Sequence, residues 1–322
     1  MAEEPWLPGA PGDDRDAGDR YVGSRYGGNR YGGSRYGGNR HVGSRYVFDT
    51  FDTGFAKEEE RLALGEALWD PGTTERLAAA GVTPGWRCLE AGAGRGSVAR
   101  WLADRVGPTG EVLATDLRVD RLKWLTDHGV TVRQLDLVSD DPDDELPAAH
   151  YDLIHARLVL QHITDRQKAV DRLCRALRPG GRLVLEDTDT AALFSHPERA
   201  DFLQEVKHAA YEVMCAAGYH PRCGLLNVEL ATRAGLVDVR AEGRSTVVRG
   251  GTEAARWYIL WIEHLRPAML ARGSVTDDRI QQAVDSMADP SQHWLSQVMV
   301  TVTARRPATD AGGSTAAAGV RA

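Results

Sequence analysis

From Arg87 onward the chain alternates short apolar runs with longer amphipathic stretches. "RCLEAG", "EVLATD", "TVRQLDL", "YDLIHAR" and "RLVLEDTD" read as strands, rich in Leu and Val and bounded by turn formers. Between them, "SVARWLADRVG", "RVDRLKWLTDHG" and "RQKAVDRLCRALRPGG" carry the helical repeat. The last predicts a helix from Asp165 to Leu177, capped by Thr164 or Asp165 and stopped by Arg178-Pro179-Gly180-Gly181. Strands and helices alternating at these lengths predict a parallel sheet with helices on both faces. After Asp189 the pattern predicts a long helix over Pro197 to Ala217 and a short one around Leu225 to Ala234. Two more strands follow, "LVDVRAEGRSTVV" and "HWLSQVMVTVTARR", separated by the helical stretches "TEAARWYILWIEHLRPAMLARG" and "TDDRIQQAVDSMA". That order predicts a helical cap, about 252–290, inserted between the last two strands.

The ends of the chain lose this pattern. Arginine recurs every five positions, at Arg20, Arg25, Arg30, Arg35, Arg40 and Arg45, and each is followed by Tyr or His. A period of five fits neither helix nor strand, and the glycine load leaves no apolar set to bury, so residues 1–46 are expected to be disordered. The small, polar tail 307–322 is expected to be disordered too, leaving a folded domain over 47–306. The net charge of -7 argues against a general nucleic-acid binder, which carries a basic surplus. The repeat arm is the exception. Its six arginines and interleaved tyrosines, without an acid, suit RNA. An in-frame expansion with no partner is the plainer reading, since the last copy, "RYVFDTF", runs straight into ordered-looking sequence. Four cysteines without a CxxC pair read as reduced thiols of a cytoplasmic protein and imply no metal site. The acidic, Pro/Gly-rich start is neither a signal peptide nor a membrane span, and no apolar run is long enough to cross a bilayer.

Candidate chemistry centres on Leu89 to Leu102, "LEAGAGRGSVARWL". A dinucleotide turn, G-x-G-x-x-G, needs its third glycine where Ser97 stands, and no G-K-[ST] follows to make a P-loop. The pattern E-x-G-x-G-x-G from Glu90 to Gly96 instead resembles motif I of the class I S-adenosylmethionine-dependent methyltransferases. The resemblance continues through Asp116 at the end of the second strand, "LDL" with Asp136 after the third, "YDLIHARLVLQHI" at the fourth and "LRPGGRLVLED" at the fifth, covering about Trp86 to Asp189.

The resemblance implies a Rossmann-like, doubly wound α/β fold. Its seven-stranded sheet would be mostly parallel with an antiparallel last strand, plus the helical cap. It implies S-adenosyl-L-methionine as cofactor. Glu90, Gly92, Ala93, Gly94 and Gly96 would receive the methionyl part, Asp116 and Leu117 the ribose, and Asp136 and Leu137 the adenine, with Arg157 lining the site. "YVFDTFDTGF" resembles a segment that closes over the cofactor.

Methyl transfer is an in-line displacement at a carbon on positively charged sulfur. Alignment and water exclusion carry most of the catalysis, and a base is needed only for a hydroxyl or a protonated amine. Acceptors bind at the carboxyl ends of the strands, which makes His162 a candidate base and Asp187 a candidate orienting group. His208, Tyr211 and His220 are further candidates. Trp257, Trp261 and His264, at helical spacing in the cap, are expected either to pack on the domain or to line a pocket for a flat acceptor. The fourth strand lacks the N/D-P-P-Y of base-amine methylation and the Pro-Cys of cytosine methylation. The expected function is therefore methyl transfer to a hydroxyl or amine of a small molecule, such as a specialised metabolite. The alternatives are an RNA or peptide methyltransferase recruited through the arm, and a non-catalytic cofactor-binding module.

Overall fold

The structure is a computed structural model that describes residues 55–199, 201 and 203–308. All of them fall in the compact unit that starts at Gly43. The repeat arm, the tail from Thr309 and all of "YVFDTFDTGF" except Phe55 lie outside the described residues.

The strands are β1 (Arg87–Ala91), β2 (Glu111–Asp116), β3 (Val130–Gln134), β4 (Tyr151–Arg157), β5 (Leu177–Asp189), β6 (Val237–Arg244), β7 (Val247–Arg249), β8 (His293–Leu295) and β9 (Val298–Arg305). Seven form one sheet in the order β3-β2-β1-β4-β5-β9-β6. β1 to β5 pair in parallel, and β9 runs antiparallel to both β5 and β6. This is the expected mostly parallel sheet with an antiparallel last strand. The two final strand stretches each break once, however. Ser245 and Thr246 separate β6 from β7, and Ser296 and Gln297 separate β8 from β9. Ser296 Oγ accepts from Thr246 N at 3.0 Å, which pins the two breaks together. β7 and β8 then pair as a separate ribbon.

The helices are α1 (Glu58–Ala79), α2 (Ser97–Val106), α3 (Arg166–Ala176), α4 (Gln204–Ala216), α5 (Cys223–Arg233), α6 (Glu253–Arg272) and α7 (Asp277–Ala288). Side-chain caps explain several starts: Asp165 accepts from Lys168 N, Thr252 from Ala255 N and Thr276 from Arg279 N. α4 is shorter than the pattern predicts, starting at Gln204 rather than Pro197. The expected helix after Asp116 is a 3-10 segment, Asp120–His128. Its three-residue period puts Leu122 and Leu125 on one buried face.

One apolar core joins the sheet to α3 and α5, and a second joins it to α2 and the 3-10 segment. A third belongs to the cap, where α4, α6 and α7 pack around Phe194, Tyr258 and Trp294. The chain order reverses between β1 and β4, and it is at such a switch that an open parallel sheet leaves a crevice for a ligand.

Candidate functional site

A cavity of about 350 Å³ opens there, within the usual size range of ligand pockets, roughly 300–1,000 Å³. The turn after β1 forms its floor. Gly92 has φ +69°, and a Cβ there would lie 2.3 Å from Val159 Cγ2, so only glycine fits. Gly94 has φ +61°, and a Cβ there would meet nothing within 4 Å, so this is where backbone is open to a ligand. Gly96 departs from expectation. It does not line the cavity; its missing Cβ makes room for Leu125 Cδ1, which a Cβ would meet at 2.6 Å.

Glu90, Ala93, Asp116, Leu117, Leu137 and Arg157 all line the cavity. Asp116 is tied to the turn it faces: Oδ2 accepts from Gly94 N at 2.9 Å and Oδ1 from Arg118 N at 3.0 Å. Burial pushes its carboxyl up, against those backbone N–H groups. Arg157 donates from Nη2 to Asp70 Oδ1 at 2.7 Å and from Nη1 to Thr73 Oγ1 at 2.8 Å, so α1 fixes its guanidinium. Asp136 is not in the lining. Its Oδ1 accepts from Val138 N at 2.8 Å, closing its own turn, while Leu135 and Leu137 on either side face the cavity.

The other end is aromatic. Trp257 and Trp261 of α6 line it with Trp69 of α1 and Met214 of α4. Trp69 meets Trp257 edge-on at 6.4 Å, and Tyr211 backs Trp261 at 5.5 Å. His264 is buried beside this end without lining it, its Nδ1 3.5 Å from Glu58 Oε2 and its ring stacked near Phe55. Glu58 and Arg61 do line the cavity, joined by two hydrogen bonds of 2.8 Å. Burial raises the Glu58 carboxyl, but Arg61 and His264 outweigh it and bring it down to about 2. His208, Tyr211 and His220 are not in the lining.

His162 lines the cavity, but its surroundings do not suit a base. Gln161 Oε1 accepts from Thr188 N and Oγ1, which turns its amide nitrogen toward His162 Nε2 at 3.2 Å. That nitrogen therefore accepts from Gln161. Burial, with Arg61 and Arg166 adding to it, lowers the ring to about 3, so it is neutral near pH 7. Asp187 is a correction. It is buried away from the cavity, accepting from Gln161 N at 3.2 Å and Asn227 Nδ2 at 2.8 Å, and so holds the β4 loop to α5. The two acids after Leu185 point to opposite faces, and neither reaches the cavity.

Sequence reasoning missed everything α1 contributes: Glu58, Arg61 and Trp69 in the wall, Asp70 and Thr73 behind Arg157. It also missed His155, fully buried with Nδ1 2.7 Å from Glu90 Oε2. The available signal was a histidine set between Ile154 and Ala156 in the apolar middle of a strand. Among the described residues, no group of three or more His, Cys, Asp or Glu side chains is placed to hold a metal, and no helix is long and apolar enough to cross a membrane.

A glycine turn open at Gly94, a carboxylate at each of two adjacent strand ends and an apolar slot between leucines fit a sulfonium nucleoside that carries no phosphate. Fold and site together are those expected of the class I S-adenosylmethionine-dependent methyltransferases, and the comparisons support that class over the donor half of the chain. The family described as "Methyltransferase domain" matches residues 89–183. The ubiquinone/menaquinone biosynthesis C-methyltransferase UbiE of Laribacter hongkongensis is 34% identical over 113 residues, covering 34% of this chain and 46% of that protein. Its namesake in Ectopseudomonas mendocina is 34% identical over 122 residues, 37% of this chain and 46% of that one. The chain thus spans about half the length of the curated relatives it matches. Among solved structures, a Bacillus halodurans protein described as a putative methyltransferase aligns with TM-score 0.48 at 17% identity, covering 73% of this chain and 98% of that one. Phosphoethanolamine N-methyltransferase 2 of Haemonchus contortus aligns with TM-score 0.43 at 18% identity, covering 78% and 53%.

Proposed function

We propose that the protein transfers a methyl group from S-adenosylmethionine to a hydroxyl or amine of a small, flat, largely apolar acceptor. The observation that carries this reading is the continuity of one cavity, from the glycine turn and Asp116 to the tryptophans of the cap. Bound S-adenosylmethionine supplies a methyl group already activated by its positively charged sulfur. The chain's own work is to bind, align and exclude water. Asp116 has a carboxylate placed for ribose hydroxyls, Glu90 one for an ammonium, and Leu117, Leu135 and Leu137 an apolar slot for a flat base. Trp69, Trp257, Trp261 and Met214 offer apolar area to the acceptor. A neutral, weakly basic His162 suits an acceptor that arrives ready to react, such as an unprotonated amine or an ionised phenol.

A second reading takes an electron-rich ring carbon as the acceptor. The names of the relatives, C-methyltransferases of quinone biosynthesis, favour it. The family match ends at residue 183, before the cap that would hold the acceptor, so it speaks for the donor half.

The test is incubation with methyl-labelled S-adenosylmethionine and a fractionated cell extract. Label is expected in a low-molecular-weight compound, with unchanged turnover when residues 1–45 are deleted. Label in RNA or protein, lost on that deletion, would overturn the small-molecule reading. Calorimetry showing NAD bound more tightly than S-adenosylhomocysteine would overturn the donor.

A further inference from the structure

A polar ribbon crosses the sheet on the face that α1 covers. Glu90 of β1 and His155 of β4 are register partners, as are Glu186 of β5 and Thr301 of β9. Residues paired in this way present their side chains on the same face. The His155 ring is fully buried between two carboxylates. Nδ1 lies 2.7 Å from Glu90 Oε2, while Nε2 lies 3.5 Å from Glu186 Oε2, without hydrogen-bond geometry. Glu186 is satisfied elsewhere. Its Oε1 accepts from Arg244 Nη2 at 2.8 Å and Thr301 Oγ1 at 2.6 Å, and its Oε2 accepts from the Thr73 hydroxyl. The ring is therefore held loosely on the Glu186 side and tightly on the Glu90 side. Of these two carboxylates, Glu90 is the one that lines the cavity.

A neutral imidazole has a single N–H to offer two carboxylates, and one carboxylate would then face a lone pair across a dry gap. An imidazolium donates from both nitrogens. Burial lowers the ring's proton affinity, but Glu90 and Glu186 outweigh it and raise it to about 9. The other charges facing the ribbon are Arg157, held by Asp70, and Arg244, held by Glu186. None of them replaces a cation at Glu90.

We propose that His155 is a positioning residue for the methyl donor. Its bond to Oε2 holds Glu90 in one rotamer, leaving Oε1 to receive the ammonium of the donor's amino-acid portion. This rests on the S-adenosylmethionine reading above.

The test compares two ligands by calorimetry. S-adenosylhomocysteine carries the amino-acid portion; 5′-methylthioadenosine has the same nucleoside without it. His155→Asn keeps a neutral donor near Nδ1 and removes the charge. It is expected to weaken S-adenosylhomocysteine about tenfold or more while leaving 5′-methylthioadenosine within about twofold, as for a lost interaction with a charged group. Glu90→Gln should repeat that selective loss, and the double variant should add little to either, as for two residues acting as one unit. Equal weakening of both ligands would make His155 merely structural, and no weakening would remove it from the site; either result overturns the proposal. If His155→Asn does not fold, wild-type protein with 15N-labelled histidine decides. A solvent-protected imidazolium whose Nδ1 resonance moves with S-adenosylhomocysteine and not with 5′-methylthioadenosine supports the proposal, and a neutral or unresponsive ring overturns it. Wild-type protein that binds neither ligand would sink the donor reading itself, and this inference with it.

Discussion

At the glycine turn the cavity wall is backbone. Gly92, Ala93 and Gly94 present it, and the carboxylates beside it are held by neighbours: Glu90 by its register partner His155, Asp116 by the N–H groups of Gly94 and Arg118. At the cap the wall is side chain: Trp257 and Trp261 from α6, Trp69 from α1, Met214 from α4. The first wall works by close approach and fixed hydrogen bonds, where one added carbon matters. The second works by apolar area, where shape changes in small steps. Cap and sheet also have separate cores, so the acceptor end can be altered without repacking the donor end.

That contrast breaks most sharply at Gly92. Gly92→Ala combines a left-handed backbone with a collision against Val159, and is expected to cost roughly 3 kcal/mol or more in strain and overpacking. Gly94→Ala carries the backbone strain alone, of order 1 kcal/mol. Thermal denaturation of the two variants side by side measures the gap, and equal melting temperatures would mean that the turn is not built on close approach.

Asp116→Ala comes next. It is expected to weaken S-adenosylhomocysteine by about 1.5–3 kcal/mol, the range for hydrogen bonds to a charged group, in a variant that keeps its circular dichroism. An unchanged dissociation constant would take Asp116 out of the donor site.

Trp257→Ala should act at the other wall only. The apparent KM for the acceptor is expected to rise about fivefold, as for a half-buried ring losing apolar contact, with donor affinity unchanged. A variant that weakened the donor equally would show that the two ends are not separable.

The remaining prediction lies outside both walls and concerns the pH dependence of stability. Burial pushes the Asp187 carboxyl from 3.8 to about 7, against the Asn227 and Gln161 donors. The folded chain thus holds this proton more tightly than the unfolded chain does. The resulting stability is fully present below about pH 4 and is lost as pH rises through about 7. Asp187→Asn is expected to flatten the melting-temperature profile across that window and leave donor affinity alone. A profile that keeps the wild-type slope would place the titration on another group.

Much of the donor half could be read directly. Alternating apolar runs marked β1 to β5, and Glu90, Gly92, Gly94 and Asp116 stood at spacings that only a strand-turn-helix unit explains. α1 escaped because Asp70-Pro71-Gly72 looks like a turn, whereas the helix runs through it, with the Thr74 hydroxyl bonded to the Asp70 carbonyl. His155 escaped because a polar residue in a buried strand has meaning only once its neighbours are known.

Local sequence determined which segments extend, which coil, where Asp165, Thr252 and Thr276 start helices, and which turn must lack side chains, since each depends on residues a few positions apart. Only the tertiary structure decided that Gly96 makes room for Leu125 rather than a ligand, that Asp187 faces α5, that Gln161 occupies the His162 lone pair, and that His155 sits between Glu90 and Glu186. Those outcomes depend on partners 26 to 65 residues away along the chain, and on which face of a strand meets which helix. Period and composition carry no record of either, because a carboxylate or a ring has the same local signature whether it faces a cavity or a core.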